Sequence, residues 1–338
     1  MSLHLYKAST KRLSTLSVLG LLKNRDKNMR HIVVTPDRCA FNIEKMLFDI
    51  VGEDSFFDID VLTITRLCRQ RLKDISHKKI LSKQSAVAII KRLLIENKDK
   101  LHSFKNVVEF TGFAEELFET IALYKSCNIS YEEVYVDNTV TALNFKQQDI
   151  KFIYKLYEEY LQDVYTDSFN QLKLYAECIN KDTYPNAIFY FIESDDYTAQ
   201  TYNIISKYAK FNKVYMGVPY APKSQNNKNI YTNKLYFDLK EISEFYNIEL
   251  HEMDAADYSS DIKKYLSKNL LSISVTENKD FSSSNYLKIL SYESMEDEVK
   301  NTLQNIKYKV VKTGCSFDKF CVVVPGINLY QNLIEKYA

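Results

Sequence analysis

AIFYFIESDD, residues 187 to 196, is a run of six apolar side chains that stops at Glu193, Ser194, Asp195 and Asp196. Pro185 bounds it on the other side. An uninterrupted apolar run of this length between turn residues reads as a parallel strand buried on both faces, placed in the middle of a sheet. The next segment, TAQTYNIISKYAKF, carries Tyr202, Ile205 and Tyr208 at helical spacing, and KVYMGV, residues 213 to 218, is a second apolar run. The three pieces form a β-α-β unit. Ligands of open parallel sheets bind beyond the carboxyl ends of the strands, so the acidic cluster lies where a nucleotide and magnesium site would be.

The chain has 338 residues, 46% of them hydrophobic, which supports two domains or one domain with an insertion. Its net charge of +1 neither requires nor excludes nucleic acid, but the charges are unevenly spread. Thr63 to Lys105 holds 12 Lys or Arg against 3 acids, and Thr111 to Asn170 holds 4 against 11. Two opposed surfaces would result, the basic one facing phosphate; two ordinary solvated faces are the plainer reading. The cysteines at 39, 68, 127, 178, 315 and 321 contain no C-x-x-C pair and do not cluster with the histidines, which argues against a metal site and for a reducing cytoplasm. No run approaches a membrane span, so the expectation is a soluble, cytoplasmic chain without membrane contact.

Outward from the central unit, Leu3 to Tyr6, His31 to Thr35 and Ile59 to Ile64 read as strands separated by amphipathic helices, the rhythm of an α/β sheet. From about Asp74 to Asp182 only helical periods are visible, and Ser168 with Gln171 reads as a capping box for one more helix. KSQNNKN, residues 223 to 229, reads as an exposed loop, and helices are expected around Lys234 to Tyr246 and Asp261 to Leu271. Ser282 to Ser284 marks a boundary, after which Tyr286 to Leu290 and Phe320 to Val324 read as strands around a helix from Met295 to Val311. The expected division is a sheet domain from residues 1–73 and 183–283, a helical insertion over 74–182, and a second α/β domain beginning at 284.

That layout resembles superfamily 1 helicases. In order along the chain, HIVVTPDRCAFNIEKML, FFDIDVLTITRLCRQRL, FTGFAEELFETIALYKSCNIS, NAIFYFIESDDYTAQTYNII, SMEDEVKNTLQNI and GCSFDKFCVVV resemble the amino-terminal region of the B subunit of bacterial ATP-dependent helicase-nucleases, the AddB or RexB type. The resemblance implies a RecA-like (P-loop NTPase-like) α/β fold and a role in DNA double-strand break processing. It also implies single-stranded or double-stranded DNA and a helicase-nuclease A subunit as partners, and a nuclease domain further downstream.

A P-loop needs glycines to reach positive φ, then Lys followed by Ser or Thr. At that position this chain has YKASTKRL, with Lys7, Ser9, Thr10 and Lys11 but no glycine before Gly20. Where those helicases end a strand in Asp-Glu to hold magnesium and position water, this chain has Ile192 and Glu193, and Pro325 stands where they carry an arginine. Glu298 matches the family. The expectation is an ATPase fold with a degenerate site, without cofactor or metal. Glu193, Asp195 and Asp196 remain open to three readings: a relic, a helix-start cluster favoured by the dipole, or a distinct metal site.

Loss of the motor does not remove a polynucleotide groove. Thr35, Asp37 and Arg38 after the second strand, and Thr63, Thr65 and Arg66 after the third, match helicase segments that touch the single-strand backbone. Arg69, Arg71 and Lys73 extend the basic patch. Tyr197 stacks on a base or joins the core, and Thr198 is placed either for DNA or as a helix cap. Two other classes stay open: a protein interaction module that never touches DNA, and a nucleotide-binding α/β enzyme with an unusual loop.

Overall fold

The computed structural model describes residues 2–73, 76–137, 141–220, 233–255, 261–269 and 287–338. The chain divides into two compact units, Met1–Glu277 and Asn278–Ala338. The strands are β1 (Ser2–Ala8), β2 (Arg30–Val34), β3 (Ile59–Leu62), β4 (Lys79–Ile80), β5 (Tyr165–Thr166), β6 (Ala187–Phe191), β7 (Lys213–Pro219) and β8 (Glu249–Asp254). The helices of the larger unit are α1 (Lys11–Gly20), α2 (Asp37–Val51), α3 (Ile64–Leu72), α4 (Lys83–Glu96), α5 (Thr111–Ser126), α6 (Ala142–Leu161), α7 (Ser168–Cys178), α8 (Ala199–Phe211), α9 (Lys234–Phe245) and α10 (Asp261–Asn269).

Six strands form one sheet in the order β3-β2-β6-β7-β1-β8, every neighbouring pair parallel. This is a RecA-like α/β sheet, with β6 in its interior between β2 and β7. Alternate residues of the strands feed two cores. Leu3, Leu5, Ile32, Val34, Phe189, Phe191, Val214 and Met216 pack under α3, α7, α8 and α9. Val33, Val61, Tyr190 and Ile192 pack under α1 and α2. Phe189 lies 3.9 Å from Tyr208, whose hydroxyl shares a hydrogen bond with that of Tyr175, so the buried phenols keep polar partners.

Helix α1 sits close on β7 because Gly217 has no side chain. A Cβ there would lie 3.2 Å from the backbone carbon and oxygen of Ser14. On the same side of the sheet, Arg25, 1% exposed at its side chain, donates from Nε and Nη2 to Asp58 and from Nη2 to Glu53. These bonds hold the turn after α1 against the α2–β3 connection.

Between β3 and β6 the chain builds a helical layer with its own core of Ile90, Leu94, Leu117, Ile121, Ile153 and Tyr157. Asp149, 1% exposed, accepts from the backbone N–H groups of His102, Ser103 and Phe104. Buried Lys125 donates to Glu158 and Asp167. The region is not wholly helical, as its sequence periods suggest: β4 and β5 pair in parallel, Lys79 with Tyr165 and Ile80 with Thr166, clipping its entrance to its exit. Two residues per strand are too few to show an alternating pattern. Asp167, not Ser168, caps α7, its carboxylate accepting from Asn170 N–H at 2.8 Å. Nor do the basic and acidic blocks form two separate surfaces, since Lys83 pairs with Glu115 and Glu119.

β8, ELHEMD, is a strand the sequence reading passes over, because at the sheet edge it carries charge on both faces. The smaller unit contributes α11 (Met295–Thr313) and α12 (Ile327–Tyr337), packed together. Residues 287–290 and 320–324, expected as strands, join no ladder among the described residues; Leu290 and residues 320–324 line a cleft of about 390 Å³ with α11 and α12. An apolar run becomes a strand only when another backbone pairs with it. The expected loop at 223–229, the Ser282–Ser284 boundary, the start of the first of these runs at Tyr286 and the end of the helix at Leu271 fall outside the described residues.

Two stability measurements follow from this packing. Gly217→Ala should lower stability by about 1–3 kcal/mol in a denaturant titration, since the backbone of α1 must give way. Asp58 is held below its ordinary 3.8 by the Arg25 guanidinium, against the opposing effect of burial. Its contribution is present above that value and lost as pH falls through the depressed one, so thermal stability should drop on acidification below about pH 4. Arg25→Met should cost about 3 kcal/mol at neutral pH and flatten that acid limb.

Candidate functional site

Because all six strands are parallel, their carboxyl ends share one edge, and the helices that follow them begin there. Helix amino termini present backbone N–H groups and a partial positive charge to that edge. The edge has two halves of different electrostatic character.

In the half formed by β1, β7 and β8, three lysines are paired with carboxylates of the protein. Only Ser9 and Thr10 separate β1 from α1. Thr10 is extended at φ −135 and caps α1, its hydroxyl accepting from Leu13 N–H. Lys7 donates to Glu252 at 2.9 Å, lies 3.4 Å from Asp254 and packs over the rings of Tyr220 and Tyr236. Burial works against its charge, but the two carboxylates raise Lys7 above its ordinary value. Lys11 is paired with Asp195. Lys234, the first residue of α9, is paired with Asp196, whose carboxylate also accepts from Tyr197 N–H and lies 3.1 Å from the Tyr202 hydroxyl. Burial alone would raise the Asp196 carboxyl, and these bonds bring it below its ordinary value. Glu193 turns the chain off β6 at φ +62, a left-handed conformation rare outside glycine.

The half formed by β2, β3 and β6 is different. Here a cleft of about 590 Å³ is lined by Thr35, Asp37, Thr63, Thr65, Arg66, Arg69, Ser194, Tyr197 and Thr201, over a floor that includes Val34, Ile64 and Ile192. α2 opens on Pro36, which supplies no side-chain cap. α3 opens on Thr63, whose hydroxyl accepts from Arg66 N–H at 3.3 Å. Thr35 is 3% exposed and its Oγ1 has no hydrogen-bond partner among the described residues. A buried hydroxyl without a partner carries a desolvation penalty that a ligand reaching it would relieve. Among the described residues, Arg66, Arg69 and Lys73 have no ion-pair partner, in contrast to Lys7, Lys11 and Lys234 of the other half.

Seven of the polynucleotide candidates from the sequence thus line one cleft. Arg38 and Thr198 do not: Arg38 is exposed on the first turn of α2, and Thr198 caps α8, its hydroxyl accepting from Thr201 N–H. Arg71 lies over the Tyr184 ring at 4.5 Å and leaves the basic patch. Tyr197 is half-buried, its ring edge-on to Phe191 and Tyr202, and burial pushes its phenol up. Ser194 and Thr201 were missed; Thr201 stands one helical turn after the Thr198 cap, a repeat of hydroxyls legible in TAQT. Glu298 and Pro325 belong to the smaller unit, where Tyr330 donates to Glu298 at 3.1 Å. No group of three metal-ligating side chains occurs among the described residues, and no helix there is long and apolar enough to cross a membrane.

An anionic, extended ligand suits a cleft of this composition: two guanidinium groups, six hydroxyls and two helix amino termini stand against the one carboxylate of Asp37. Comparison with known proteins gives the lineage. Over 342 residues the chain is 23% identical to the B subunit of the ATP-dependent helicase/deoxyribonuclease of Clostridium botulinum strain Hall, a match that covers 94% of this chain and 29% of that protein. The Listeria monocytogenes protein of the same name is 27% identical over 168 residues, 48% of this chain and 14% of its own length. That of Caldanaerobacter subterraneus is 24% identical over 196 residues, 55% and 17%. The chain therefore spans less than a third of the length of the first of these relatives. The family model described as "ADDB, N-terminal" matches residues 14–272, from within α1 to beyond α10, and the chain belongs to that family.

Proposed function

We propose that this chain is the helicase-like amino-terminal region of a helicase-nuclease B subunit, acting in DNA double-strand break processing as a DNA-holding element rather than a motor. The observation that carries the reading is the division of the carboxyl edge: the half where a triphosphate would sit is closed by its own ion pairs, and the other half offers unpaired cations beside a buried, partnerless hydroxyl. Arg66 and Arg69 take the phosphates. The Thr63, Thr65 and Thr35 hydroxyls and the first N–H groups of α2 fix the register of the backbone, and Tyr197 forms the wall against which a base rests.

The nucleotide site is degenerate on this reading. Two residues in extended or bent conformation between β1 and α1 leave no cradle of successive N–H groups, and Lys7 and Lys11 are already engaged with carboxylates. Ile192 replaces a magnesium carboxylate. On this reading the smaller unit belongs to a second domain, and an A subunit is the partner that supplies ATP-driven movement.

Fluorescence anisotropy with a labelled single-stranded oligonucleotide tests the cleft. Arg66→Ala combined with Arg69→Ala should weaken binding and reduce the slope of log affinity against log salt by about 1.4, two phosphate contacts' worth. An unchanged slope would remove the cleft from the DNA path. Thr35→Val should leave thermal stability equal or slightly higher, since a buried unpaired hydroxyl is lost, yet weaken oligonucleotide binding by about 1 kcal/mol. If Thr35→Val lowers stability and leaves DNA affinity untouched, the hydroxyl serves the fold instead.

A further inference from the structure

Where the helical layer between β3 and β6 meets α8, a second cavity of about 330 Å³ opens, apart from the cleft at the strand ends. Its walls come from α5, α6 and α7, from the turn after α5, and from Gln200 and Asn203 of α8. Gln200 is 4% exposed, and its side-chain nitrogen donates to the Phe169 carbonyl at 3.1 Å. That bond fixes the amide and leaves Oε1 without a hydrogen-bond partner among the described residues. A buried amide oxygen in this state carries a desolvation penalty, and having only lone pairs to offer it is relieved only by a donor. The buried hydroxyl of Tyr154 is oriented in the same sense. It donates its proton to the Ile129 carbonyl at 3.0 Å, so what it has left is also acceptor capacity.

Charge points the same way. Buried Lys125 is shared between Glu158 and Asp167, one ammonium for two carboxylates. Exposed Lys173 stands near Glu133, whose carboxyl is held below its ordinary value by the Ser130 N–H and hydroxyl, with Lys173 adding to the effect. Glu177, exposed on α7, has no ion-pair partner among the described residues. Two ammonium groups thus stand against four carboxylates. The Tyr154 phenol is pushed up by burial and then by Glu158, Asp167 and Glu133, as a negative local field requires. The carboxyl end of α5 adds its partial negative charge. The rings of Tyr131 and Tyr154 both line the cavity and meet at 82°, 6.1 Å apart, forming an aromatic corner of the kind that attracts a desolvated cation.

We propose that this cavity binds an alkylammonium group. Its N–H donates to Gln200 Oε1, its methylenes lie against Tyr131 and Tyr154, and its charge is answered by the surplus carboxylates, of which Glu177 is the one free to pair. A bare metal ion fits less well, because the carboxylates are spread around the walls and do not gather into a metal-ligating group among the described residues. An anion would meet the excess negative charge. Two sources carry this chemistry: a free linear diamine, and a lysine side chain of another protein.

Isothermal titration of the whole chain, without nucleic acid, tests the site. The probes are 1,4-diaminobutane and Nα-acetyl-lysine N-methylamide; 1,4-butanediol is the neutral control of equal length and inorganic phosphate the anionic one. The expected result is saturable binding of an ammonium probe with a Kd of about 1 mM or below, and a melting temperature that rises with its concentration. Neither control should bind. Tighter binding of the lysine derivative supports the proposal with a protein side chain as the source, and tighter binding of the diamine supports it with a free amine. Gln200→Met should weaken binding at least about tenfold, since a charge-assisted hydrogen bond is lost. Glu177→Lys, at an exposed position the fold does not need, should weaken it as much while leaving the melting temperature of the free chain unchanged. No saturation up to about 10 mM of either ammonium probe, tenfold above that Kd, overturns the proposal. So does equal binding of butanediol, or undiminished binding by the Gln200 variant. Both variants should keep the oligonucleotide affinity of the original chain, so failure of the DNA reading and failure of this one are separately visible.

Discussion

Parallel pairing of β6 with β2 on one side and β7 on the other is the constraint from which the working edge follows. Parallel strands cannot be joined by tight turns, so each crosses back through a helix, and every carboxyl end reaches the same side. That places the ends of β2, β3 and β6 beside one another although 124 residues of sequence lie between Leu62, the end of β3, and Ala187, the start of β6. Thr35 N–H donates to Leu62 and Ile192 N–H to Val34, so the ladder continues past the strands and fixes the cleft floor.

Charge then divides what geometry has gathered. At the carboxyl ends of β1 and β8, Lys7, Lys11 and Lys234 each meet a carboxylate within the protein, and the aromatic rings of Tyr220 and Tyr236 cover Lys7. Beyond the carboxyl ends of β2 and β3, Arg38, Arg66, Arg69 and Lys73 are left facing solvent. A surface ion pair adds little stability, but it removes a charge from the field an approaching anion meets.

The insertion shows how a long excursion can leave a sheet undisturbed. Its own core, the Asp149 carboxylate bonded to three successive N–H groups, and the Lys125 network make it self-sufficient, and the β4–β5 pair closes it at the neck. Closing so long a loop adds only a logarithmic entropy term, small beside the apolar surface that the insertion buries for itself.

The AIFYFI run and its helical follower were enough to declare a buried parallel strand and an α/β sheet, because burial on both faces writes itself into consecutive side chains. The missing glycines between Tyr6 and Lys11 equally foretold a strand passing straight into a helix. The hydroxyls and arginines of the cleft were legible through the resemblance of their segments, but not that Thr198 and Arg71 would be turned to other tasks. Edge strand β8, the two-residue β4–β5 pair and the Asp167 cap carry no local pattern strong enough to read. Only the folded chain decided which lysines are spent on internal carboxylates and which arginines remain free, because Lys7 meets Glu252, and Lys11 meets Asp195, across separations of 245 and 184 residues that no local sequence pattern spans.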